Sequence, residues 1–225
     1  MCRDCPCASL AAPAAASPVR SSPAPSSPAF LSLGVGRQLL ERNDWLAERN
    51  RRRLRAARLT AVNLLSSPGS GKTSLLEALA RLAPRAVPPP RLAALVGDLA
   101  TARDASRLEA AGLPAVAIST GQACHLDAAM VSRGLDALEA RGCSLASLDL
   151  LLIENVGNLI CPAAFHSADG VVISKGDLAE AVRFERRQAL ANIAAVAPRA
   201  LVHEVSARSG SGLDALLAWL LAPCP

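Results

Sequence analysis

The segment 59–82 restricts the fold more than any other part of the chain. An apolar run, Leu59–Leu65, is followed at once by a turn of small residues, Ser66–Thr73, and then by a helical pattern. Small residues allow backbone N–H groups to curl around a phosphate group at the N-terminus of a helix. The segment therefore predicts a buried strand, a phosphate-binding loop and a helix, which together begin a P-loop nucleotide-binding domain.

Two side chains of this loop match the chemistry of nucleotide binding. Lys72 can reach the β- and γ-phosphates, and the hydroxyl of Thr73 can bind Mg²⁺. Only Lys72 and Lys175 are lysines among the 24 basic residues, which indicates that a compact ammonium group is needed at both positions. Ser66 stands where the general motif has glycine, and a Gly-Ser turn without a ligand is the alternative interpretation. The other predicted phosphate-binding residues are Gly69, Ser70, Gly71 and Ser74.

Beyond the loop, short apolar segments alternate with helical patterns. We predict strands at 59–65, 92–97, 114–118, 148–154, 170–174 and 200–205, and helices at 72–82, 102–111, 126–140, 179–195 and 212–221. Such alternation is typical of α/β domains with a parallel sheet. We therefore expect a three-layer P-loop NTPase domain with a mostly parallel sheet flanked by helices.

Acidic residues end two of the predicted strands. Asp98 ends the second strand and Glu154 ends the fourth, so we expect both at the carboxyl edge of the sheet, where ligands bind in open α/β folds. We predict that both carboxylates serve Mg²⁺ and that Glu154 begins a segment that responds to the γ-phosphate. For Asp98 alone, capping of the next helix is an equally good interpretation.

Two later segments resemble the elements that recognise a guanine base. Residues 174–177 (Ser-Lys-Gly-Asp) are similar to the Asn-Lys-x-Asp motif, with serine in place of asparagine. The carboxylate of Asp177 can accept hydrogen bonds from N1–H and the N2 amine of guanine. Since serine lacks the amide of asparagine, we expect a weaker connection between this loop and the P-loop. The predicted base pocket consists of Lys175, Asp177, Ser206 and Ala207.

The N-terminal part has a different composition. Residues 1–7 hold Cys2, Cys5 and Cys7, which are too closely spaced for an ordinary disulfide framework and indicate a metal-binding tip. Residues 8–35 are rich in Ala, Ser and Pro and predict a disordered linker. The periodicity of Gly36–Arg58 predicts a helix. We therefore divide the chain into a tip (1–7), a linker (8–35) and a GTPase-like domain that includes this helix (36–225).

Charge and hydropathy argue against two classes of protein. The net charge of +5 arises from six arginines within residues 49–58. We interpret this cluster as a solvated face or a partner contact, because it lacks aromatic neighbours and a DNA-binding motif. No apolar run approaches the ~18 residues of a membrane span, and the first residues lack the apolar region of a secretory signal. We expect a cytoplasmic protein that binds neither membranes nor nucleic acid.

A second group of cysteine and histidine residues lies on loops of the predicted domain. Cys124 and His125 follow the third strand, and Cys161 follows the fourth. Thiolate and imidazole groups suit Ni²⁺, Zn²⁺ and Cu⁺. We predict that these three residues form a metal site at the sheet edge; buried structural cysteines are the alternative. Cys143 and Cys224 are interpreted as incidental.

Together these motifs resemble the HypB-type nickel-insertion GTPases, SIMIBI-class P-loop proteins that mature [NiFe] hydrogenase. The resemblance extends along most of the chain. It rests on Cys2, Cys5 and Cys7 and on the segments 43–47 (Asn-Asp-Trp-Leu-Ala), 63–73, 97–98, 120–127 (Thr-Gly-Gln-Ala-Cys-His-Leu-Asp) and 154–162 (Glu-Asn-Val-Gly-Asn-Leu-Ile-Cys-Pro).

The resemblance implies a nickel-delivering GTPase and a role for each group of residues. Lys72, Asp98 and Glu154 would act in GTP hydrolysis, with Thr73, Asp98 and Glu154 at Mg²⁺. Lys175 and Asp177 would bind guanine. A nickel or zinc site at Cys124, His125 and Cys161 would lie at a GTP-dependent homodimer interface, and Cys2, Cys5 and Cys7 would form a separate nickel site. The implied partners are a nickel-transfer protein and the hydrogenase large subunit.

Two alternatives to this interpretation stay open at the level of sequence. A urease-type nickel-insertion GTPase would by resemblance carry Cys-Pro-His, whereas Cys124 and His125 are adjacent here. A non-catalytic nickel-binding or storage protein with an impaired GTP site is the alternative from a different class.

The spacing before the base motif is shorter than in the family. Only 16 residues separate Gly157 from Ser174, and they include the strand predicted to begin at residue 170. A crossover between parallel strands needs about a dozen residues or more, so the further strand that the family has here cannot be accommodated. Either the sheet lacks one inner strand or the given sequence omits an encoded segment.

Overall fold

The computed structural model describes residues 31–98, 101–121, 123, 125–157 and 168–222, with side chains from residue 41 onward. The chain divides into two units, Met1–Gln38 and Leu39–Pro225. Of the first unit, only the opening turns of a helix are described; the predicted tip and the linker up to residue 30 lie outside the described residues. All the strands described belong to the second unit.

Four parallel strands form the centre of the second unit. They are β1 (Thr60–Leu64), β2 (Leu92–Asp98), β3 (Ala115–Ser119) and β4 (Leu150–Glu154), in the order β1-β4-β2-β3. Each lies within two residues of its predicted range. Glu154 of β4 lies level with Leu64 of β1 and Val96 of β2. The carboxyl end of β4 is therefore flanked by the P-loop on one side and by Asp98 on the other.

Helices cover both faces of this sheet. The six helices described are α1 (Leu31–Ala56), α2 (Lys72–Leu82), α3 (Arg103–Ala110), α4 (Ala128–Ala140), α5 (Arg186–Val196) and α6 (Leu213–Leu221). Alternate residues of β4 enter different cores, as expected for a strand: Leu150 and Leu152 pack with α2, α3 and α6, whereas Leu151 and Ile153 pack with α4 and the end of α1. The predicted three-layer α/β arrangement is confirmed.

Helix α1 is joined to α4 by charged and apolar contacts. Arg53, one of the clustered arginines, bonds to Asp136 at 2.6 Å and to Glu139 at 2.7 Å, while Leu54 packs against the core beneath α4. The helix begins at Leu31, earlier than the predicted Gly36. No described helix is long and apolar enough to cross a membrane.

The last two strands form a separate sheet. β5 (Gly170–Ile173) and β6 (Leu201–Glu204) pair in parallel, and among the described residues no strand joins them to the four-stranded sheet. This gap agrees with the short spacing before residue 174. Trp219 of α6 supports the small sheet: its ring lies 4.8 Å from that of His203, and it lies so close to Gly170 that a side chain there would collide with it.

The helix predicted at 179–195 starts later than expected. Residues 179–183 form turns, and α5 begins only at Arg186. Arg183 has a φ angle of 52°, a left-handed conformation that interrupts a right-handed helix. The N–H of Phe184 bonds instead to the carbonyl of Ala179 at 2.8 Å. The first turns of the predicted helix were therefore wrong.

Candidate functional site

The P-loop folds around two glycines between β1 and α2. Gly69 and Gly71 have φ angles of 72° and 96°, a region in which residues with a Cβ atom are strained. Gly71 is the N-cap residue of α2 and provides no side chain to bond the first N–H groups of the helix. These N–H groups remain directed at the loop, as an anion-binding helix N-terminus requires.

Ser66 accepts a hydrogen bond from the lysine of this loop. The ammonium group of Lys72 donates a hydrogen bond to the Ser66 hydroxyl at 2.8 Å, and that hydroxyl lies 2.5 Å from the hydroxyl of Ser70. The serine that replaces glycine thus gives Lys72 a partner inside the loop. A phosphate group that binds Lys72 has to compete with this contact or share the ammonium group with it.

A buried hydrogen bond joins the P-loop helix to the end of β4. Thr73 donates its hydroxyl to Oε1 of Glu154 at 2.7 Å, and both side chains are buried. The second oxygen of Glu154, Oε2, is also buried and has no hydrogen-bond donor among the described residues. A hydroxyl beside a carboxylate with one unsatisfied oxygen is the donor set that Mg²⁺ prefers, so these two residues fit the cation.

The environment of Glu154 opposes its ionisation. Burial raises the pKa of its carboxyl group, and the charge of Asp104 raises it further. The hydrogen bond from Thr73 and the charges of Lys72 and Arg107 lower the pKa but do not cancel the rise. A buried carboxyl group with a raised pKa is typical of a functional site, and a bound cation would supply the missing compensation.

Asp98 ends β2, a strand that pairs with β4 in the sheet. Its Oδ2 atom accepts a hydrogen bond from Thr101 at 2.5 Å, and its carbonyl accepts one from the N–H of Thr120 at 2.9 Å. The N-cap residue of α3 is Ala102, not Asp98. The interpretation of Asp98 as the cap of the following helix was therefore wrong.

A network centred on Arg107 borders the site and was not predicted from the sequence. Its guanidinium group donates to Glu77 of α2 at 2.9 Å, to Asp104 at 3.1 Å and to the hydroxyl of Ser74 at 3.3 Å. The helical spacing of Asp104 and Arg107 could have suggested their ion pair. The contact with Glu77 is tertiary, so no sequence signal indicated that the network would connect α3 to the P-loop helix.

The predicted base loop lies against the P-loop. Ser174 donates its hydroxyl to the carbonyl of Ser70 at 2.7 Å, and the ammonium group of Lys175 bonds to the carbonyl of Gly69 at 2.8 Å. Asp177 accepts a hydrogen bond from Ser206 at 2.6 Å. The structure thus brings Lys175, Asp177 and Ser206 together despite the shortened segment, and the partly buried Ala207 follows directly.

Comparison with known proteins agrees with this geometry. Residues 60–167 match the family model described as CobW/HypB/UreG, nucleotide-binding domain. The chain is 40% identical to hydrogenase maturation factor HypB of Azotobacter chroococcum, over 83% of this chain and 67% of that protein. It is 37% identical to HypB of Escherichia coli K12, over 84% of this chain and 71% of that protein. The chain belongs to the HypB family.

Solved HypB structures share the fold. HypB from Helicobacter pylori in complex with nickel has a TM-score of 0.73 and 34% identity, over 80% of this chain and 94% of that chain. HypB from Archaeoglobus fulgidus has a TM-score of 0.67 and 34% identity, over 80% of this chain and 97% of that chain. The alignment with the A. chroococcum protein is 215 positions long but covers only 83% of the 225 residues of this chain. Some aligned positions are therefore gaps in this chain, so this HypB relative carries residues that the present chain lacks.

The cysteines that the HypB resemblance assigns to metal lie outside the described residues. These are Cys124, Cys161 and the tip residues Cys2, Cys5 and Cys7. His125 is described and is exposed. In the described part of the chain, no group of three His, Cys, Asp or Glu side chains could hold a metal ion, so both cysteine sites stay predictions.

One cysteine, Cys143, lies among the described residues. Cys143 is a partly buried free thiol that packs against the core beside α4. Burial raises the pKa of its thiol, and a raised pKa disfavours the thiolate form that binds metals. These observations support the interpretation of Cys143 as a structural residue.

Proposed function

We propose that this chain is a GTP-binding and GTP-hydrolysing metallochaperone that delivers nickel during [NiFe] hydrogenase maturation. The observation that carries the proposal is the buried Thr73–Glu154 pair beside the P-loop, with one carboxylate oxygen unsatisfied among the described residues. Membership of the HypB family supports the same conclusion. Nucleotide binding follows from the family and the loop, whereas hydrolysis and nickel delivery are proposals.

We expect the nucleotide site to prefer GTP over ATP. Lys72 and the N–H groups of Gly69, Ser70, Gly71 and Ser74 would hold the phosphates. Asp177 would exchange its hydrogen bond with Ser206 for bonds to N1–H and the N2 amine of guanine. Adenine lacks the N2 amine, so it cannot satisfy both oxygens of this carboxylate, and GTP should bind more tightly.

Thr73, Glu154 and Asp98 would hold Mg²⁺ at the γ-phosphate side of the loop. The orphaned Oε2 atom of Glu154 supports this role, because a buried unsatisfied oxygen is costly without a cation. When bound, the ion would neutralise negative charge that develops on the phosphate oxygens. Lys72 would stabilise the same charge from the other side, and Glu154 would connect this chemistry to the segment that follows β4.

Two sites would carry nickel as cargo. Cys124, His125 and Cys161 would form a site of nickel or zinc at a GTP-dependent homodimer interface, and Cys2, Cys5 and Cys7 would form a separate site on the N-terminal arm. The H. pylori relative has been solved in complex with nickel, which supports nickel as the cargo. A nickel-transfer protein and the hydrogenase large subunit would be the partners.

Sequential titrations on one sample test this proposal. A non-hydrolysable GTP analogue with Mg²⁺ should bind first, and Ni²⁺ should then bind the nucleotide-loaded protein. GTP hydrolysis by the wild type and by Lys72→Ala then separates the enzyme from its alternatives. Nickel binding without GTP binding would favour the storage protein, and urease activation in place of hydrogenase activation would favour the urease-type alternative.

A further inference from the structure

A buried asparagine connects the end of β4 to the loop that carries His125. Asn155 is 5% exposed. Its Oδ1 atom accepts hydrogen bonds from the N–H of Leu126 at 2.8 Å and of Val156 at 3.0 Å. Its Nδ2 atom lies 3.3 Å from Oδ1 of Asn63 on β1. One amide group therefore bridges three segments of the chain at the carboxyl edge of the sheet.

The neighbours of Asn155 place it between the nucleotide site and the His125 loop. Glu154 and Asn155 are consecutive, and consecutive residues of an extended segment point to opposite faces. Glu154 faces Thr73 of α2, whereas Asn155 faces Leu126. A single peptide unit thus joins Glu154, which lies beside the P-loop, to Asn155, which accepts a hydrogen bond from Leu126, the residue after His125.

The end of the His125 loop is held firmly at this point. Leu126 is buried and packs so closely on β2 that a Cβ atom on Gly97 would lie 2.8 Å from its Cγ atom. Beyond it, the N–H of Ala128 donates to Asn43 of α1 at 2.9 Å, and the Ala128 carbonyl accepts from Asn50 at 2.7 Å. The α1 contacts fix the loop to a helix, and the Asn155 contact fixes it to the end of the strand that carries Glu154.

The backbone from Asn155 to Gly157 lies close to β1 and the P-loop. Asn155 N–H bonds to the carbonyl of Leu64 at 3.1 Å, and a Cβ atom on Gly157 would lie 2.9 Å from Cα of Pro68 in the P-loop. The segment from Glu154 to Gly157 therefore touches the P-loop at both ends. A change at the γ-phosphate that displaces this segment has to move the Asn155 side chain as well.

We propose that Asn155 is the positioning residue that couples nucleotide state to metal affinity at the His125 loop. When Glu154 shifts towards or away from a bound nucleotide, the Asn155–Leu126 hydrogen bond carries the shift to the backbone next to His125. The role rests on the proposed function, because it needs both a nucleotide site and a metal site that includes His125. It names the contact through which the two communicate.

Nickel titrations of the full-length protein test this role. The measured quantity is the ratio of Ni²⁺ affinities with Mg²⁺–GDP and with Mg²⁺ and a GTP analogue, which for typical coupled sites is about 5–150-fold. Asn155→Ala should reduce the ratio to one while the affinity for each nucleotide stays near that of the wild type. Asn155→Asp should preserve the ratio, because it keeps the acceptor oxygen and a rotated Asn63 amide can donate to the carboxylate.

Matched variants separate coupling from a merely structural role. Asn43→Ala removes a hydrogen bond to the same loop from α1 and should keep the wild-type ratio. If Asn155→Ala does not fold, Asn155→Ser provides a local acceptor for Val156 but is too short to reach Leu126, and it should also give a ratio of one.

The outcomes distinguish this role from the proposed function. A wild-type ratio in Asn155→Ala or Asn155→Ser would overturn the role of Asn155 and leave the metallochaperone intact. Loss of the ratio in Asn155→Asp would equally contradict the acceptor role. Wild-type protein that fails to bind GTP or nickel, or that binds both with a ratio of one, would instead reject the proposed function itself.

Discussion

Thr73 and Glu154 are 81 residues apart in the chain, yet the threonine hydroxyl donates to the glutamate carboxylate across 2.7 Å in the buried interior. The register of the sheet explains the contact, because Glu154 lies level with Leu64, just before the P-loop. One oxygen of a buried carboxylate thereby lacks a hydrogen-bond donor among the described residues. Such an arrangement costs stability and favours a bound cation.

Substitution of Glu154 by glutamine should separate stability from activity. Glutamine keeps an acceptor for the Thr73 hydroxyl but removes the buried charge, so the nucleotide-free protein at neutral pH should melt at the same or a higher temperature. GTP hydrolysis should fall by about 100-fold or more, as for the loss of one preorganised electrostatic contact. The exposed Glu139→Gln on α4 is the matched control and should leave hydrolysis unchanged. A lower melting temperature with retained hydrolysis would contradict the assignment.

The pKa of Glu154 also predicts a dependence of stability on pH. Because the pKa is raised in the folded state, the folded protein retains a proton that the unfolded chain has lost, and stability falls as the pH rises through the folded value. Glu154→Gln lacks this loss. The difference in melting temperature between the variant and the wild type should therefore increase from pH 5 to pH 8, and a constant difference would indicate a carboxyl group of ordinary pKa.

Replacement of Lys72 should show that an ammonium group is required. Lys72→Ala and Lys72→Arg should both weaken GTP-analogue binding by about 10–100-fold, the usual range for a lost hydrogen bond to a charged group. Arginine should fail because its planar fork does not fit a loop in which the ammonium group bonds to Ser66 at 2.8 Å. Arg81→Ala, in the last turn of α2, serves as the control. Wild-type affinity in Lys72→Arg would show that the site needs only a positive charge.

The base pocket predicts two distinct phenotypes. Asp177→Asn should abolish the preference for GTP over ATP, because the amide offers a donor where guanine also donates. Ser174→Ala should weaken both nucleotides alike, by about fivefold for one lost hydrogen bond, because its bond to the Ser70 carbonyl supports the P-loop rather than the base. Competition binding with both nucleotides measures each effect. Equal affinities of the wild type for GTP and ATP would show that this loop forms no base pocket.

The strands, the P-loop and the base loop could be predicted from the sequence for a physical reason. Buried parallel strands are continuous apolar runs, and the glycines of the P-loop occupy conformations that few other residues adopt. The position of Glu154 at a strand end followed from the same pattern. By contrast, the start of α5 depends on the left-handed Arg183, and nothing in the local sequence indicates that an arginine takes this conformation.

The tertiary parts of the site could not be predicted in the same way. Asn155 bonds to Leu126, and Arg107 bonds to Glu77, and each pair meets only after the sheet and helices have packed. The hydroxyl of Ser174 keeps one bond to the P-loop, at the Ser70 carbonyl, and the weaker connection expected from the missing amide stays a prediction. A single sequence does not show which side chains come within hydrogen-bonding distance once the strands and helices have packed.

Removal of residues 1–7 should eliminate one metal site and leave the other. The linker that begins at residue 8 is long and rich in proline, so the tip cysteines and the His125 loop should bind metal independently. Ni²⁺ stoichiometry of the truncated protein, measured beside the full chain, should fall by one equivalent, with nucleotide affinity unchanged. A stoichiometry of zero would mean that Cys124, His125 and Cys161 form no site.

A GTP-dependent metallochaperone requires that nucleotide affinity and metal affinity are linked. Calorimetric titration of wild-type protein with Ni²⁺ in the GDP state and in the GTP-analogue state, each with Mg²⁺, measures this linkage. We expect Ni²⁺ affinities that differ between the two states, towards the lower end of the about 5–150-fold range for coupled sites, with the reciprocal change in nucleotide affinity. The lower end is expected because the shortened segment before residue 174 alters the anchorage of the segment that begins at Glu154. Affinities that agree within error, on a sample shown to bind both nucleotides, would contradict the chaperone and favour a storage protein.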